Sequence, residues 1–219
     1  MLPLAELTGV RVEYDGRAAL QGLDFVVSPG EAVAVVGANG SGKSTLLSVL
    51  AGVRMPDAGR ARFHPALRRA FVPQRSAVPD SLPLSAADVV SMGRWSAARG
   101  RPLVREDRAI VAEALDAMSL GALASAPLST MSGGQRQRTF VAQGLAQRAD
   151  LLLLDEPTAG LDAESRDLVA AAIRSEARRG AAVVYVTHDE DALAGADRVL
   201  HMHAGPMHPL APAPECATA

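Results

Sequence analysis

The sequence is poor in cysteine, lysine and aromatic residues, and each scarcity removes a class of function. One cysteine, Cys216, stands among 219 residues. No disulfide can form within the chain, so a reducing compartment is expected. There are one Trp, two Tyr and four Phe, too few for a platform on which single-stranded nucleic acid stacks. A formal net charge of −2 gives no basic field for a duplex, so no nucleic-acid partner is expected. No apolar run reaches the roughly 18–20 residues that cross a bilayer. The opening MLPLAELTGVRVEYDG has no basic region and carries Glu6, unlike a secretory signal. Any work at a membrane is therefore expected through a partner. Of the 22 basic residues, 21 are Arg and one is Lys43. A general preference for Arg explains the 21 but not the position of the one. Lysine is a compact charge on a flexible stem and is not replaceable by arginine inside a tight phosphate-binding loop.

An apolar fraction of 48% suits a globular chain, and the length suits one domain carrying an inserted sub-domain. GVRVEY, LDFVV and EAVAVVG read as strands, the last apolar on both faces. A glycine loop follows, then KSTLLSVLAG with helical spacing and a closing glycine. RARFH and RRAFVPQ read as strands, SAADVVSMGRW and REDRAIVAEALDAMSL as helices. After SGGQRQRTFVAQGLAQ the strands LLLLDEP and AAVVYVTHD alternate with the helix AESRDLVAAAIRSEARRG, and DRVLHMH follows. Such alternation implies parallel strands with right-handed crossovers. The expected organisation is a single domain over 1–204 with a helical insertion at about 75–131. Residues 205–219, rich in Pro and Ala, form a tail expected to carry little order.

GANGSGKS, Gly37 to Ser44, fits G-x-x-x-x-G-K-[ST], with a buried strand before it and a helix after it. In this P-loop pattern backbone N–H groups cradle phosphates, Lys43 reaches the β- and γ-phosphates and the Ser44 hydroxyl ligates Mg²⁺. Gly37, Ala38, Asn39, Gly40, Ser41, Gly42, Lys43, Ser44 and Thr45 are therefore nucleotide-binding candidates. Asp155 ends the strand LLLLD, at the edge where α/β sheets place ligands, and is a candidate to hold the metal. Glu156 follows it as candidate general base for water. His188 ends VVYVTH, and Gln74 ends RAFVPQ. Both are placed on that same edge, His188 toward the γ-phosphate or the attacking water and Gln74 toward Mg²⁺. A second glycine-rich helix start, MSGGQ, lies far downstream at Met131 to Gln135, and a helix N-terminus attracts anions.

The set resembles the nucleotide-binding subunit of ATP-binding cassette (ABC) transporters, over about Leu4 to Leu200. The motifs run in that family's order: Tyr14, the P-loop at 37–45, Gln74, SGGQ at 132–135, Asp155, Glu156, AGLD at 159–162 and His188. The resemblance implies a P-loop NTPase of the ABC ATPase type, with a mixed sheet core, an antiparallel β subdomain and an inserted helical subdomain. It implies that Tyr14 stacks on adenine. It further implies that two copies pair head to tail, so that Ser132, Gly133, Gly134 and Gln135 of one copy, with Asp162, complete the ATP site of the other. Met131 stands where the family pattern has Leu, and Ala159-Gly160 where Ser-Ala is common. The implied ligands are ATP and Mg²⁺. The implied partners are membrane permease subunits docked near Gln74–Arg94 and, indirectly, an extracytoplasmic solute-binding protein. The implied place is the cytoplasmic face of a bacterial inner membrane.

One cassette without a membrane span is similar to the separate ATPase subunit of an importer. Val72 to Arg94, with REDRAIVAEAL after it, is most similar to the zinc and manganese importer ATPases, zinc first. Iron-chelate and cobalamin importers share part of the pattern and form the second reading, ahead of an export or soluble ABC ATPase. His201, His203 and His208 with Met202 and Met207 invite a reading as soft-metal ligands, but a strand end followed by an unstructured tail is the stronger reading, and no metal site is assigned to them.

Overall fold

The computed structural model describes residues 3–74, 82–188, 193 and 195–203. Two sheets organise it. The first is antiparallel, in the order β2 (Arg17–Val27), β1 (Ala5–Tyr14), β4 (Ala58–Phe63). The second has five strands in the order β5 (Arg69–Val72), β6 (Leu151–Asp155), β7 (Ala182–Val186), β3 (Ala32–Gly37), β8 (Arg198–Met202), and every pair is parallel. The mixture of strand directions thus lies between the sheets.

Both faces of the parallel sheet are covered, which is why its strands are apolar without interruption. Along β6, Leu151 and Leu153 join one core cluster while Leu152 and Leu154 join the other. β3 divides in the same way, Val33 and Val35 against Ala32 and Ala34. One cluster contains the antiparallel sheet's inner face and α1 (Lys43–Ala51); the other contains α5 (Gly133–Ala146) and α6 (Ala163–Arg178). The second cluster continues into α2 (Ala86–Met92) and α4 (Arg105–Ala117), which lie between β5 and β6 in the chain and pack on α5.

Helix starts follow local chemistry. Ser85 and Asp88 cap α2 reciprocally, the Asp88 N–H donating to Ser85 Oγ (3.1 Å) and the Ser85 N–H to Asp88 Oδ2 (2.9 Å). The apolar stretch expected as one helix over 85–95 divides at Gly93 into α2 and the short α3 (Trp95–Ala98). Gly93 lies against α5, where an added Cβ would stand 2.4 Å from the Gln143 carbonyl oxygen. These helices are also fastened by a buried ion pair. Arg94 Nε donates to Asp107 Oδ1 (3.1 Å), and Arg94 Nη1 to the Ala146 carbonyl at the end of α5 (3.0 Å). The Val104 N–H, then Arg101 and Arg94, hold the Asp107 carboxyl below the ordinary carboxylate range. No described helix is long and apolar enough to cross a membrane. The proposed tail at 205–219, His208 and Met207 within it, and residues 75–81 of the insertion lie outside the described residues.

Candidate active site

Strand order explains the site. Parallel strands carry their C-terminal ends to one edge, and the order β5-β6-β7-β3 sets Gln74, Asp155 with Glu156, His188 and the P-loop side by side there. Asn39, Gly40, Gly42, Lys43, Ser44, Thr45, Gln74, Glu156 and His188 line one cavity of about 570 Å³, with Ala19. Gly37, Ala38 and Ser41 lie in the loop without lining the cavity. Ser41 is buried.

The loop is shaped by two glycines. Gly42 is the N-cap of α1 with φ 94°, and a Cβ there would meet the Ala19 carbonyl oxygen at 2.3 Å. Gly40, with φ 80°, has nothing within 4 Å of such a Cβ and borders the cavity. Lys43 is 6% exposed, and its Nζ donates to the carbonyls of Gly37 (2.8 Å) and Ala38 (2.9 Å). Carbonyl dipoles therefore hold its ammonium at the loop.

Glu156 is the centre of the polar edge. Its carboxylate receives Gln74 Nε2 on Oε2, and His188 Nε2 lies 3.0 Å from Oε1. Its φ of 49° is left-handed, and its N–H donates to the Val186 carbonyl (3.2 Å). Beside it Asp155 is buried. Burial pushes the Asp155 carboxyl above its ordinary range, and the Glu156 charge adds to this; a Ser44 hydrogen bond and the Lys43 charge oppose it. A buried carboxylate bonded to a hydroxyl, with a neutral amide nearby, is an oxygen-donor set for a hard cation. Among the described residues no group of three His, Cys, Asp or Glu could hold a metal ion by itself. Ser44, Gln74 and Asp155 therefore suit Mg²⁺ arriving with phosphate oxygens and water. Glu156 and His188 also wall a second cavity of about 300 Å³ on the 158–161 side.

The remaining predicted residues lie outside the main cavity. Ser132 caps α5, its Oγ accepting the Gln135 N–H (3.2 Å) while Gln135 Oε1 accepts the Ser132 N–H (2.9 Å). Neither these nor Gly133 and Gly134 line the cavity. Asp162 caps α6 by accepting the Ser165 N–H (2.8 Å), and Ser165 holds its carboxyl below the ordinary range. The start of α5 is tied to the segment after Glu156: Gln137 Nε2 donates to the Pro157 carbonyl (3.4 Å), and Leu161 is buried close to Gly134. Tyr14 is half exposed at the end of β1, outside the cavity lining, with the Arg54 guanidinium over its ring. Ala19 and Arg54 were not foreseen. Their positions depend on pairing between β1, β2 and the turn after α1, which leaves no local motif.

Residues 20–159 match the family model described as ABC transporter. The chain is 44% identical over 216 residues to the hemin import ATP-binding protein HmuV of Streptomyces coelicolor, covering 92% of this chain and 75% of that one. It is 38% identical over 188 residues to the zinc import ATP-binding protein ZnuC of Chelativorans sp., covering 85% and 62%. Among solved structures, a chain of a metal-chelate type ABC transporter in an inward-facing conformation superposes with a TM-score of 0.80. It is 32% identical, with 92% of this chain and 80% of that one covered. With the P-loop, the Asp155–Glu156 strand end and His188 assembled on one sheet edge, the chain belongs to the ATP-binding subunits of ABC transporters and hydrolyses ATP to drive transport.

Proposed function

We propose that this chain powers a bacterial importer of the metal-chelate class, with an iron chelate of the hemin type as cargo. The convergence of Lys43, Gln74, Glu156 and His188 on one cavity, with Asp155 buried beside Glu156, carries the ATPase part of the reading. The cargo rests on the relatives: hemin import proteins reach 44% identity where the zinc import protein reaches 38%. This reverses the order expected from Val72 to Arg94, and zinc or manganese import becomes the second reading.

In the proposed chemistry the P-loop N–H groups and Lys43 bind the phosphates. Glu156 accepts the proton of the attacking water, and His188, 3.0 Å away, and Gln74 hold its carboxylate in place. Ser44, Gln74 and Asp155 would hold Mg²⁺, which when bound neutralises charge on the phosphate oxygens. Ser132 to Gln135 open a helix and do not line this cavity. They serve the ATP held by a second copy, paired head to tail, with Asp162 near the contact. The chain works at the cytoplasmic face of the membrane through permease subunits docked near Gln74–Arg94 and a solute-binding protein beyond them.

Uptake of hemin, zinc and manganese by cells with the wild-type chain or Glu156→Gln tests the reading. Loss of hemin uptake alone supports it, and loss of zinc or manganese uptake alone installs the second. Intact uptake of all three refutes import of this class.

A further inference from the structure

One side chain joins the phosphate-binding helix to the strand that carries Tyr14. Beyond Ala51, the N–H groups of Val53 and Arg54 both donate to the Ser48 carbonyl of α1 (3.0 and 3.1 Å). This turn brings Arg54 to the end of β1. Its Nη2 donates to the Glu13 carbonyl (3.2 Å) and to Asp57 Oδ1 and Oδ2 (2.8 and 2.7 Å). Asp57 in turn accepts the Glu13 N–H (2.8 Å). The guanidinium carbon stands over the Tyr14 ring, 5.4 Å from its centroid. So both backbone groups of the residue before Tyr14 and one face of its ring are held from the same turn.

These contacts contribute little to folding. The Arg54–Asp57 pair is about 34% and 44% exposed, and exposed pairs add little to stability. Their value lies in placement. A ring has two faces, and a cation over one leaves the other for a flat partner. Guanidinium groups suit that backing position because they are planar and stack on aromatic rings.

We propose that Arg54 is a positioning residue for the nucleotide base. It backs a three-layer stack of guanidinium, Tyr14 and adenine, and it registers that stack to α1, whose first turn holds the phosphates. A base and a triphosphate are bound at opposite ends of one ligand, so the distance between their sites must be set by a rigid path. Ser48, Arg54 and Glu13 form that path. The inference rests on the reading that Tyr14 stacks on adenine, and the experiment separates the two.

The affinities of the full chain for ATP and for inorganic tripolyphosphate are measured for wild type, Arg54→Ala, Arg54→Lys, Tyr14→Ala and the double variant Arg54→Ala/Tyr14→Ala. The expected result is a loss of about three- to fivefold for ATP in Arg54→Ala, with tripolyphosphate binding unchanged. Arg54→Lys restores part of the loss. Arg54→Ala adds nothing in the Tyr14→Ala background, because the ring it backs is gone. Equal losses for ATP and tripolyphosphate would mean a damaged loop and would overturn the inference. A loss in Tyr14→Ala without one in Arg54→Ala would overturn the role of Arg54 and leave the stack standing. No loss in Tyr14→Ala would remove the stack, and the role of Arg54 with it.

Discussion

Two neighbouring glycines of the P-loop separate folding from binding. Both have left-handed backbones, φ 80° at Gly40 and 94° at Gly42, so an alanine at either site carries a similar conformational cost of about 1–2 kcal/mol. Their surroundings differ. The Cβ of Gly42→Ala would stand 2.3 Å from the Ala19 carbonyl oxygen and 2.9 Å from Leu20 Cδ2. One of those neighbours is backbone of β2, so relief requires β2 and α1 to move apart, and overpacking of this kind costs about 1–3 kcal/mol more. For a chain of this size 1 kcal/mol shifts the midpoint by about 2–4 °C. Gly42→Ala should therefore lower the melting temperature by about 4–20 °C, against about 2–8 °C for Gly40→Ala. Nucleotide binding should follow the opposite order per degree lost. The Gly40 Cβ meets no protein atom within 4 Å but borders the cavity, so it intrudes on the space proposed for phosphate. Scanning calorimetry of the nucleotide-free protein, with ATP titration below both transitions, reads the two effects. Equal melting losses in the two variants would refute the packing argument. Wild-type ATP affinity in Gly40→Ala would refute the placement of phosphate against that residue.

Glu156→Gln keeps the shape of the side chain and removes the proposed proton acceptor. Phosphate release should fall by about 10²–10⁴-fold with ATP still bound; turnover within tenfold of wild type would remove Glu156 as base. Asp155→Asn should raise the melting temperature of the nucleotide-free protein while weakening Mg²⁺-ATP binding. Because burial raises the Asp155 carboxyl above its ordinary value of 3.8, the native state holds the proton more tightly than the unfolded chain. The stability contribution of Asp155 therefore falls as pH rises from about 4 through the raised value. Melting curves across that range should be flatter in the variant, and an unchanged slope would contradict the burial of the charge. Ser132→Arg loses the α5 cap, about 1 kcal/mol, and should leave ATP binding by one copy intact while abolishing cooperative hydrolysis. Retained cooperativity would contradict a site shared between copies.

The elements legible in the sequence are those whose environment is uniform along their length. β3, β6 and β7 are covered on both faces and read as unbroken apolar runs. The end of α1 reads as a closing glycine, and Gly52 is its left-handed C-cap with φ 77°. What depends on distant chain was not legible. β1 extends back to Ala5 because Ala5 pairs with both Val27 and Phe63, and nothing local marks that pairing. The break between α2 and α3 likewise reflects the close approach of Gly93 to α5, a contact with residues some fifty positions away.

Glu156 shows the same limit inside the site. Its neighbour Asp155 ends β6, and successive residues of an extended strand point to opposite faces. Alternation alone would therefore send the Glu156 side chain away from the edge that Asp155 serves. The sequence motif placed both there without a geometric reason. The structure supplies one: at Glu156 the chain leaves the extended region for φ 49°. That turn brings the Glu156 carboxylate between Gln74 and His188, at the ends of the two strands flanking β6. A left-handed backbone at a non-glycine residue costs about 1–2 kcal/mol. The Val186 carbonyl, receiving the Glu156 N–H, and the two side-chain contacts hold the residue against it. The strain falls on the residue proposed to take the proton, and its supports come from the strands to either side. A shift of either neighbouring strand end would therefore reach the carboxylate proposed as the base through these contacts.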